Sequence, residues 1–273
     1  MTLSIITVNL NNRDGLQRTI DSVISQTFTD YEWIVIDGGS TDGSRELIEQ
    51  YVDHFAYWCS EPDRGIYNAM NKGIAHAHGD WMHFLNSGDT YYNNNVLTKI
   101  FSAEYSAQLL YGNYIKDFGQ IKDFVSPPNT LTPSYILQHF LCHQTLFFRR
   151  NLDINYDEHY RIAADWALCW SFFLKGITFQ KIPVIVVNYD AKGISAMNQE
   201  KSKKEIFVAF EKLTPDNLKK DILELYNIHT EWDFIKKRKL LRKYLAFFKK
   251  SSKRIYKFLT KVDRLKSKHS KNK

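Results

Sequence analysis

Two short polar loops, each directly after an apolar run, carry carboxylates that could bind a nucleotide or a cation. The first loop, after residues 31–36, reads Asp37-Gly38-Gly39-Ser40-Thr41-Asp42-Gly43. Its leading carboxylate, Asp37, could accept the N3–H of a uracil ring or the ring N–H donors of guanine. The loop is not a GxGxxG fingerprint, and it lacks the lysine of a phosphate-binding P-loop. The alternative is a plain turn that caps the next helix through Ser40 or Asp42.

The second loop, Asn86-Ser87-Gly88-Asp89, follows the apolar run 81–85. A carboxylate here, Asp89, could hold Mg²⁺ or Mn²⁺ against a diphosphate, because these hard cations prefer oxygen ligands and keep waters or phosphate oxygens for the rest. Such a cation would neutralise the charge that builds on a leaving nucleoside diphosphate. The alternative is again a turn, for which Gly88 is suited.

The order of strands and helices predicts where these loops lie. Alternating strand and helix patterns at this spacing predict right-handed βαβ units and a parallel sheet, hence an α/β fold. Ligands in such sheets bind beyond the carboxyl ends of the strands, where the loops after Val8, Ile36 and Leu85 meet. The patterns predict strands at 3–8, 31–36, 55–59, 81–85, 142–150 and 178–189, and helices at 16–26, 44–51, 68–78 and 163–174, with two short helices in 205–229 broken at Pro215.

Four ordered segments carry a resemblance to a known family. Together they closely resemble family 2 glycosyltransferases of bacterial surface-polysaccharide synthesis, over roughly residues 3–190. The segments are Ser4-Ile5-Ile6-Thr7-Val8-Asn9, Asp37-Gly38-Gly39-Ser40-Thr41-Asp42-Gly43, Asp63-Arg64-Gly65-Ile66-Tyr67-Asn68-Ala69-Met70-Asn71-Lys72-Gly73 and Gly79-Asp80-Trp81-Met82-His83-Phe84-Leu85-Asn86-Ser87-Gly88-Asp89.

The resemblance implies a GT-A fold, a Rossmann-like, mostly parallel sheet flanked by helices. It also implies an inverting transfer from a nucleotide-diphospho-sugar. By position, it assigns Asp37 to the nucleotide base, Thr7 and Asn9 to the nucleoside, Asp89 to the metal, Asp165 to the catalytic base and His143-Gln144 to a pair that precedes that base. One departure is that Asn86 and Gly88 stand where many relatives carry carboxylates, so Asp89 alone remains for Mn²⁺ or Mg²⁺.

Asp165 meets a physical requirement of the base role. Inversion needs a group that takes the proton of the acceptor hydroxyl, and a carboxylate in partly apolar surroundings has a raised pKa and is a better base. Ile162, Trp166 and Trp170 offer such surroundings. The alternative is a helix N-terminal aspartate that the helix dipole stabilises.

Further donor-binding candidates lie in the loops and in the third helix. Arg64 could pair bidentately with the diphosphate, whereas Lys72 could instead be a favourable charge at a helix C-terminus. Asp63 could contact the ribose or sugar or be a turn residue, and Ser87 is expected at the donor. His143 could contact the diphosphate or acceptor, although a lone histidine is more often structural.

Charge is divided unevenly along the chain. Residues 231–273 hold 17 of the 37 lysines and arginines and 3 of the 30 acidic residues, a net of +14, and the rest carries −7. Apolar residues recur in this tail at helical steps, which predicts a basic amphipathic helix at a membrane interface. The apolar stripe favours lipid over nucleic acid as partner. The stripe comprises Phe234, Leu241, Leu245, Phe248, Ile255, Leu259 and Val262.

The predicted location is the cytoplasm, peripheral on the inner face of the cell membrane. The chain has three cysteines and no CxxC pair, which disfavours both a disulfide framework and a zinc site. No apolar run reaches the roughly 18 residues of a spanning helix, and the first residues do not resemble a signal peptide. The resemblance to surface-polysaccharide enzymes implies a glycan acceptor, either held on a lipid carrier or a polysaccharide.

The predicted organisation has three parts. A catalytic domain at 1–204 has a nucleotide-binding half at 1–115 and an acceptor-binding half at 116–204, followed by a helical extension at 205–230 and the tail at 231–273. The alternative function is a nucleotide-binding α/β protein without transferase activity, which the tail targets to membrane or nucleic acid. A nucleotidyltransferase is disfavoured because residues 9–15 offer a single basic residue, Arg13.

Overall fold

The computed structural model describes residues 1–191 and 199–237. Packing divides the chain into two compact units, of which the first is Met1–Pro215 and the second begins at Asp216. The strands are β1 (Leu3–Asn9), β2 (Tyr31–Asp37), β3 (Tyr57–Ser60), β4 (Trp81–Phe84), β5 (Thr90–Tyr91), β6 (Leu109–Asp117), β7 (Lys122–Val125), β8 (Leu146–Arg149) and β9 (Phe179–Asp190). The helices are α1 (Arg13–Ile24), α2 (Ser44–Gln50), α3 (Ile66–Ala75), α4 (Val96–Phe101), α5 (Pro133–Gln138), α6 (Ala164–Leu174), α7 (Gln199–Leu213) and α8 (Asp216–Lys237).

The first unit is built on one nine-stranded sheet. Its path runs β3-β2-β1-β4-β8-β6-β9-β5, and β7 pairs with the outer part of β6. Strands β3, β2, β1 and β4 are parallel neighbours, as the alternation of strands and helices predicts. Strand β8 lies antiparallel between β4 and β6, while β6 and β9 are parallel. The predicted α/β class is therefore confirmed, and the antiparallel β8 joins two parallel parts.

The N-terminal strands are buried on both faces, which explains their continuous apolar sequence. Every residue of β1 and all of β2 except Tyr31 are buried. Helix α3 packs closely on β1 at Gly73, where a Cβ atom would overlap the Ile6 side chain. These strands therefore form a buried floor from which the loops at their carboxyl ends project.

The C-terminal helices break where the sequence indicates. Helix α7 ends at Leu213 and α8 begins at Asp216, on either side of Pro215. Both helices are longer than the predicted short ones. Among the described residues, no helix combines the length and the apolar content needed to cross a bilayer. Of the predicted amphipathic tail, 238–273 lies outside the described residues.

Candidate active site

The loops after β1, β2 and β4 are tied together at one edge of the sheet. The Gly38 backbone N–H donates to the Asn9 carbonyl (2.9 Å), and the Asn11 N–H donates to Ser40 Oγ (2.7 Å). On the other side, Asn12 Nδ2 donates to the carbonyl of Ser87 (3.1 Å). The β1 loop thus bridges the two acidic loops, as expected for the carboxyl ends of neighbouring parallel strands.

Asp37 uses its carboxylate to hold these loops together. It is fully buried, and its two oxygens accept four hydrogen bonds, from Asn9 Nδ2 (2.7 Å), Ser40 N (2.9 Å), Ser40 Oγ (2.5 Å) and Ser60 Oγ (2.6 Å). Burial by itself would raise the pKa of Asp37, but these hydrogen bonds outweigh it and hold the pKa below its ordinary value. The structure places this carboxylate inside the protein, so the predicted direct contact with the nucleotide base finds no open oxygen here.

Thr7 and Asn9 are also buried beneath these loops. The Thr7 side chain is fully buried and accepts a hydrogen bond from Trp33 Nε1 (3.0 Å). Asn9 is 4% exposed and points its amide nitrogen at Asp37. The Thr7 side chain therefore supports the floor of the site. Within the described residues, Asn9 Oδ1 has no hydrogen-bond partner, so the nucleoside contact predicted for Asn9 stays a prediction.

Asp63 lies at the surface next to this buried group. A side chain at Gly38 would meet Asp63 Oδ2 at 2.5 Å, so the Asp63 carboxylate fills the space that the glycine leaves open. Oδ1 accepts the Gly65 N–H (2.8 Å), and within the described ranges no hydrogen bond engages Oδ2. The exposed Leu10 side chain lies at the same place, 3.2 Å from the position of a Cβ on Gly38. Together they form a half-open polar and apolar surface beside the β2 loop.

Asp89 is a buried carboxylate at the end of the β4 loop. It is 4% exposed, and its Oδ1 accepts the backbone N–H of Asp190 at the end of β9 (2.7 Å). The pKa of Asp89 is raised to about 8, chiefly by burial and to a smaller extent by the nearby Asp190 carboxylate, although the Asp190 N–H, Gln144 and Arg18 act in the opposite direction. Burial thus disfavours the ionised form of Asp89, which an added positive charge would stabilise.

These residues fit a divalent cation that takes most of its ligands from outside the protein. No group of three or more histidine, cysteine or acidic residues that could hold a metal occurs among residues 1–191 and 199–237. Asp89 and Asp190 could supply hard oxygen ligands, and Mg²⁺ or Mn²⁺ commonly binds through one or two carboxylates plus phosphates and waters. Ser87, predicted at the donor, is half-buried and donates its hydroxyl to the Asn12 carbonyl (3.2 Å).

Asp165 begins the first turn of α6 and contacts α3. Tyr67 Oη lies 3.1 Å from Asp165 Oδ1 and 2.7 Å from the Ile162 carbonyl, and the Trp166 N–H donates to the same carboxylate oxygen (2.8 Å). The residue keeps some exposed surface, but burial of its carboxyl group raises the pKa of Asp165 to about 6 despite the hydrogen bonds from Trp166 and Tyr67. A carboxylate of this kind is suited to take a proton near neutral pH.

Asp89 and Asp165 face one neighbourhood. Both carboxylates raise the pKa values of Cys142 and Tyr189, after the larger effect of burial. Tyr189 and Asp190 are consecutive at the end of β9, and Cys142 precedes the turn that holds Gln144. The candidate metal ligand and the candidate base, 76 residues apart in the sequence, are therefore both within electrostatic range of the same two side chains.

The predicted phosphate-binding cations are ion-paired in the structure. Arg64, whose side chain is 78% exposed, pairs with Glu158 at 2.9 Å, and Lys72 pairs with Glu61 at 2.6 Å. Arg18 of α1, which the sequence did not single out, contacts the Asp190 carboxylate at 3.6 Å and lowers the pKa of Asp89. The structure does not bring Arg64 or Lys72 to Asp89 through any of these contacts.

His143 lies in the core and not at the surface of the site. It is 5% exposed and packs against Phe84, Phe148 and Tyr156, and its Nε2 lies 2.5 Å from Tyr156 Oη. Burial lowers the pKa of His143 to about 3, so the ring is neutral. The predicted contact of His143 with the diphosphate or the acceptor would have to involve this buried neutral ring, and it stays a prediction. Its neighbour Gln144 does reach the site, through Asp89.

Two acidic residues near the site were missed from the sequence. Asp190 ends the apolar strand β9. Asp37 and Asp89 were identified because their loops follow apolar runs, and the same criterion could have found Asp190. Glu205 lies on α7 and accepts hydrogen bonds from the backbone just before Asp165. No sequence signal marks it, because the contact joins elements that are 42 residues apart.

The model of glycosyl transferase family 2 matches residues 4–166 of the chain, which is more than half of its length. The chain belongs to glycosyl transferase family 2. An uncharacterized glycosyltransferase of Mycobacterium tuberculosis is 48% identical over 103 residues, which are 37% of this chain and 39% of that protein. A putative teichuronic acid biosynthesis glycosyltransferase, TuaG of Bacillus subtilis, is 27% identical over 219 residues, 76% of this chain and 86% of TuaG.

Solved structures agree on the fold. S. aureus TarS in complex with UDP aligns with a TM-score of 0.64 at 18% identity, over 83% of this chain and 70% of that one. The mannosyltransferase PcManGT from Pyrobaculum calidifontis, in complex with GDP-Man and Mn²⁺, gives a TM-score of 0.62 at 16% identity, over 83% and 69%. The expected family and the GT-A type of fold are thereby confirmed, and the chain is a glycosyltransferase by family.

Proposed function

We propose that this protein is an inverting glycosyltransferase that moves a sugar from a nucleotide-diphospho-sugar to a hydroxyl of a glycan acceptor in cell-surface polysaccharide synthesis. The observation that carries the proposal is a partly buried aspartate, Asp165, whose pKa is raised to about 6 beside the same side chains as the buried Asp89. Family membership supports sugar transfer. The TuaG relative, named for teichuronic acid, supports a cell-surface product.

In the proposed reaction, Asp165 accepts the proton of the acceptor hydroxyl as its oxygen attacks the anomeric carbon. The bond from that carbon to the diphosphate oxygen breaks on the opposite face, which inverts the configuration. Tyr67 orients the Asp165 carboxylate through its hydroxyl. A divalent cation held by Asp89 and Asp190 would stabilise the charge of the departing nucleoside diphosphate.

The donor is proposed to bind over the β1, β2 and β4 loops. Asp63 replaces Asp37 as the proposed carboxylate for the nucleoside, because its Oδ2 lies beside Gly38 at the surface while Asp37 is buried and saturated. The exposed Leu10 offers an apolar surface for a base. UDP is the proposed carrier, since neighbours of the same fold were solved with UDP and UDP-GlcNAc, and GDP is the second choice from PcManGT with GDP-Man.

A thermal-shift screen of nucleotide-sugars, with and without Mn²⁺, identifies the donor, and transfer of the labelled sugar to lipid-extractable acceptors in bacterial membranes measures the reaction. Asp165→Asn should bind the donor as the wild type does but lower transfer by at least about a thousandfold, in the range expected for loss of general base catalysis and its orientation. Asp153→Asn, an exposed aspartate, is the control. Full transfer by Asp165→Asn would refute the role of Asp165 as the base. Donor binding by the wild type without any transfer would favour the alternative, a nucleotide-binding protein without transferase activity.

A further inference from the structure

The backbone before the proposed base lacks a local cap. Helix α6 begins at Ala164, and its N-cap residue, Ala163, has no side-chain group that could accept a hydrogen bond. The first N–H groups of a helix have no partner within the helix and need one from elsewhere. The loop that leads into α6 turns three consecutive N–H groups, those of Arg161, Ile162 and Ala163, in one direction.

Glu205 of α7 accepts all three. Its Oε2 receives the N–H groups of Ile162 (2.8 Å) and Ala163 (3.0 Å), and the Arg161 N–H lies 3.0 Å from Oε1 and 3.1 Å from Oε2. Hydrogen bonds to an ionised acceptor are stronger than neutral ones. A negative charge is also favoured at a helix N-terminus. The Glu205 carboxylate therefore fixes the backbone of residues 161–163, directly before α6.

Helix α3 holds the same loop from a second direction. Tyr67 donates to the Ile162 carbonyl, and Asn71 exchanges two hydrogen bonds with the backbone of Tyr156 (2.8 and 2.9 Å). The Arg161 guanidinium in turn donates to the carbonyl of Arg64 (2.6 Å). The loop is thus held between α3 and α7. Among the described residues, the carboxylate that accepts the backbone N–H groups of this loop is that of Glu205.

We infer that Glu205 is a positioning residue, which holds Asp165 against the acceptor by fixing the backbone of residues 161–163. The inference rests on the proposed function, since it assumes that Asp165 is the base. A displacement of about 1 Å at a catalytic group can cost a hundredfold in rate, so the clamp acts on turnover and not on donor affinity.

Helix α7 has its own anchors, so the contact can be tested without loss of the helix. Trp170 of α6 donates to Thr214 Oγ1 (3.0 Å) and packs on the ring of Phe210. Ala209 and Phe210 are buried. Replacement of Glu205 therefore removes the clamp while α6 and α7 remain packed.

The charge of Glu205 gives a second readout. It raises the pKa of Asp165, as a smaller effect than burial, while the Trp166 N–H and Tyr67 lower it. The other titratable groups that face Asp165 are Tyr156, Cys142, Cys169 and Tyr189, which burial keeps neutral. Loss of the negative charge in Glu205→Gln should therefore move the acidic limb of the kcat profile to lower pH.

The test compares Glu205→Ala and Glu205→Gln with Glu200→Gln, a control on the same helix whose carboxylate is 82% exposed and pairs with Lys203. Glu205→Ala should lower kcat about 10- to 100-fold with KM for the donor within about twofold, and speed hydrogen exchange at residues 161–163. Glu205→Gln should retain part of the activity and shift the acidic limb downward. The control should do neither.

Glu205 variants that match the control in kcat, pH profile and exchange would overturn the positioning role. This outcome is distinct from failure of the proposed function, which requires an active Asp165→Asn. If Glu205→Ala does not fold, Glu205→Gln decides, because its amide keeps the shape and one acceptor oxygen. A folded Glu205→Gln with the kcat of the wild type and wild-type exchange at residues 161–163 would then refute the inference.

Discussion

Asp37, Asp89 and Asp165 are all shielded from water, yet their pKa values move in opposite directions. Asp37 accepts four hydrogen bonds and has a lowered pKa, whereas burial dominates at Asp89 and Asp165 and raises theirs to about 8 and about 6. The number of donors around a buried carboxylate therefore separates a structural group from groups with reactive protonation states. At the residue scale, Asp89 and Asp165, whose pKa values are raised, are therefore the candidates for the metal ligand and the base.

The Asp165 base gives kcat a defined acidic limb. Because a base acts only when deprotonated and the pKa of Asp165 is about 6, kcat should fall tenfold per pH unit below about pH 6. Tyr67→Phe removes a hydrogen bond that lowers this pKa, so its acidic limb should move to higher pH. Stopped transfer assays over a pH series measure the limb in both proteins. Tyr92→Phe, an exposed tyrosine, is the control, and a limb that is unmoved in Tyr67→Phe would contradict the contact.

Asp63 should act on donor affinity alone. Asp63→Asn removes the charge of the carboxylate beside Gly38 and should weaken donor binding about tenfold, the effect of one lost charge-assisted hydrogen bond of roughly 1.4 kcal/mol. Titration calorimetry with the nucleoside diphosphate measures it. Asp53→Asn, an exposed position in the 3-10 turn after α2, should bind as the wild type does. Equal affinities of both variants would remove Asp63 from the nucleotide site.

At the scale of elements, Asp37 joins the ends of β1, β2 and β3. Its partners are Asn9 at the end of β1, Ser40 of the following loop and Ser60 at the end of β3. In Asp37→Asn, an NH₂ group would face donors in place of an acceptor oxygen. We expect a loss of about 1–3 kcal/mol in the free energy of unfolding at pH 7, measured by urea denaturation against the exposed control Asp80→Asn.

The pH dependence of that loss has a definite sign. The pKa of Asp37 is lower in the folded protein than in the unfolded chain, so its carboxylate contributes stability above the unfolded pKa of about 4. This contribution disappears as the pH falls through the folded pKa. The difference between wild type and Asp37→Asn should therefore shrink below pH 4, and a difference that grows on acidification would contradict the role of the charged form.

The elements up to β4 were predictable because each has a strong apolar periodicity and a clear end in the sequence. The segment from β5 to α5 was not predictable. Helix α4 has six residues and β7 has four, three of them exposed, so neither carries a readable period. The pairing of β8 between β4 and β6 depends on contacts far apart in the chain. For the same reason the sequence identified Asp89 and Asp165 as polar groups but could not show that Ser60 saturates Asp37 or that Glu205 caps α6.

At the scale of the whole molecule, charge separates the catalytic part from the tail. Residues 1–230 carry a net charge of −7 and residues 231–273 carry +14. An anionic membrane should therefore attract the tail and repel the body, which would turn the enzyme in one orientation on the surface. A basic residue near an anionic leaflet contributes about 1 kcal/mol, so a few of the tail's cations are enough for reversible attachment.

Neutralising four tail cations in the full chain tests this proposal. The tail variant changes Lys249, Lys250, Lys253 and Arg254 to glutamine, and a matched control changes four exposed lysines of the first unit, Lys99, Lys122, Lys175 and Lys203. The tail variant should lose at least about tenfold in affinity for vesicles with anionic lipid, because even one or two lost contacts supply that difference. Cosedimentation with anionic and neutral vesicles measures it, and donor binding should stay the same in both variants. Equal vesicle binding by the tail variant and the control would mean that bulk charge, and not the tail, governs attachment. Equal binding of the protein to neutral and anionic vesicles would mean that the apolar stripe of the tail supplies the binding energy instead.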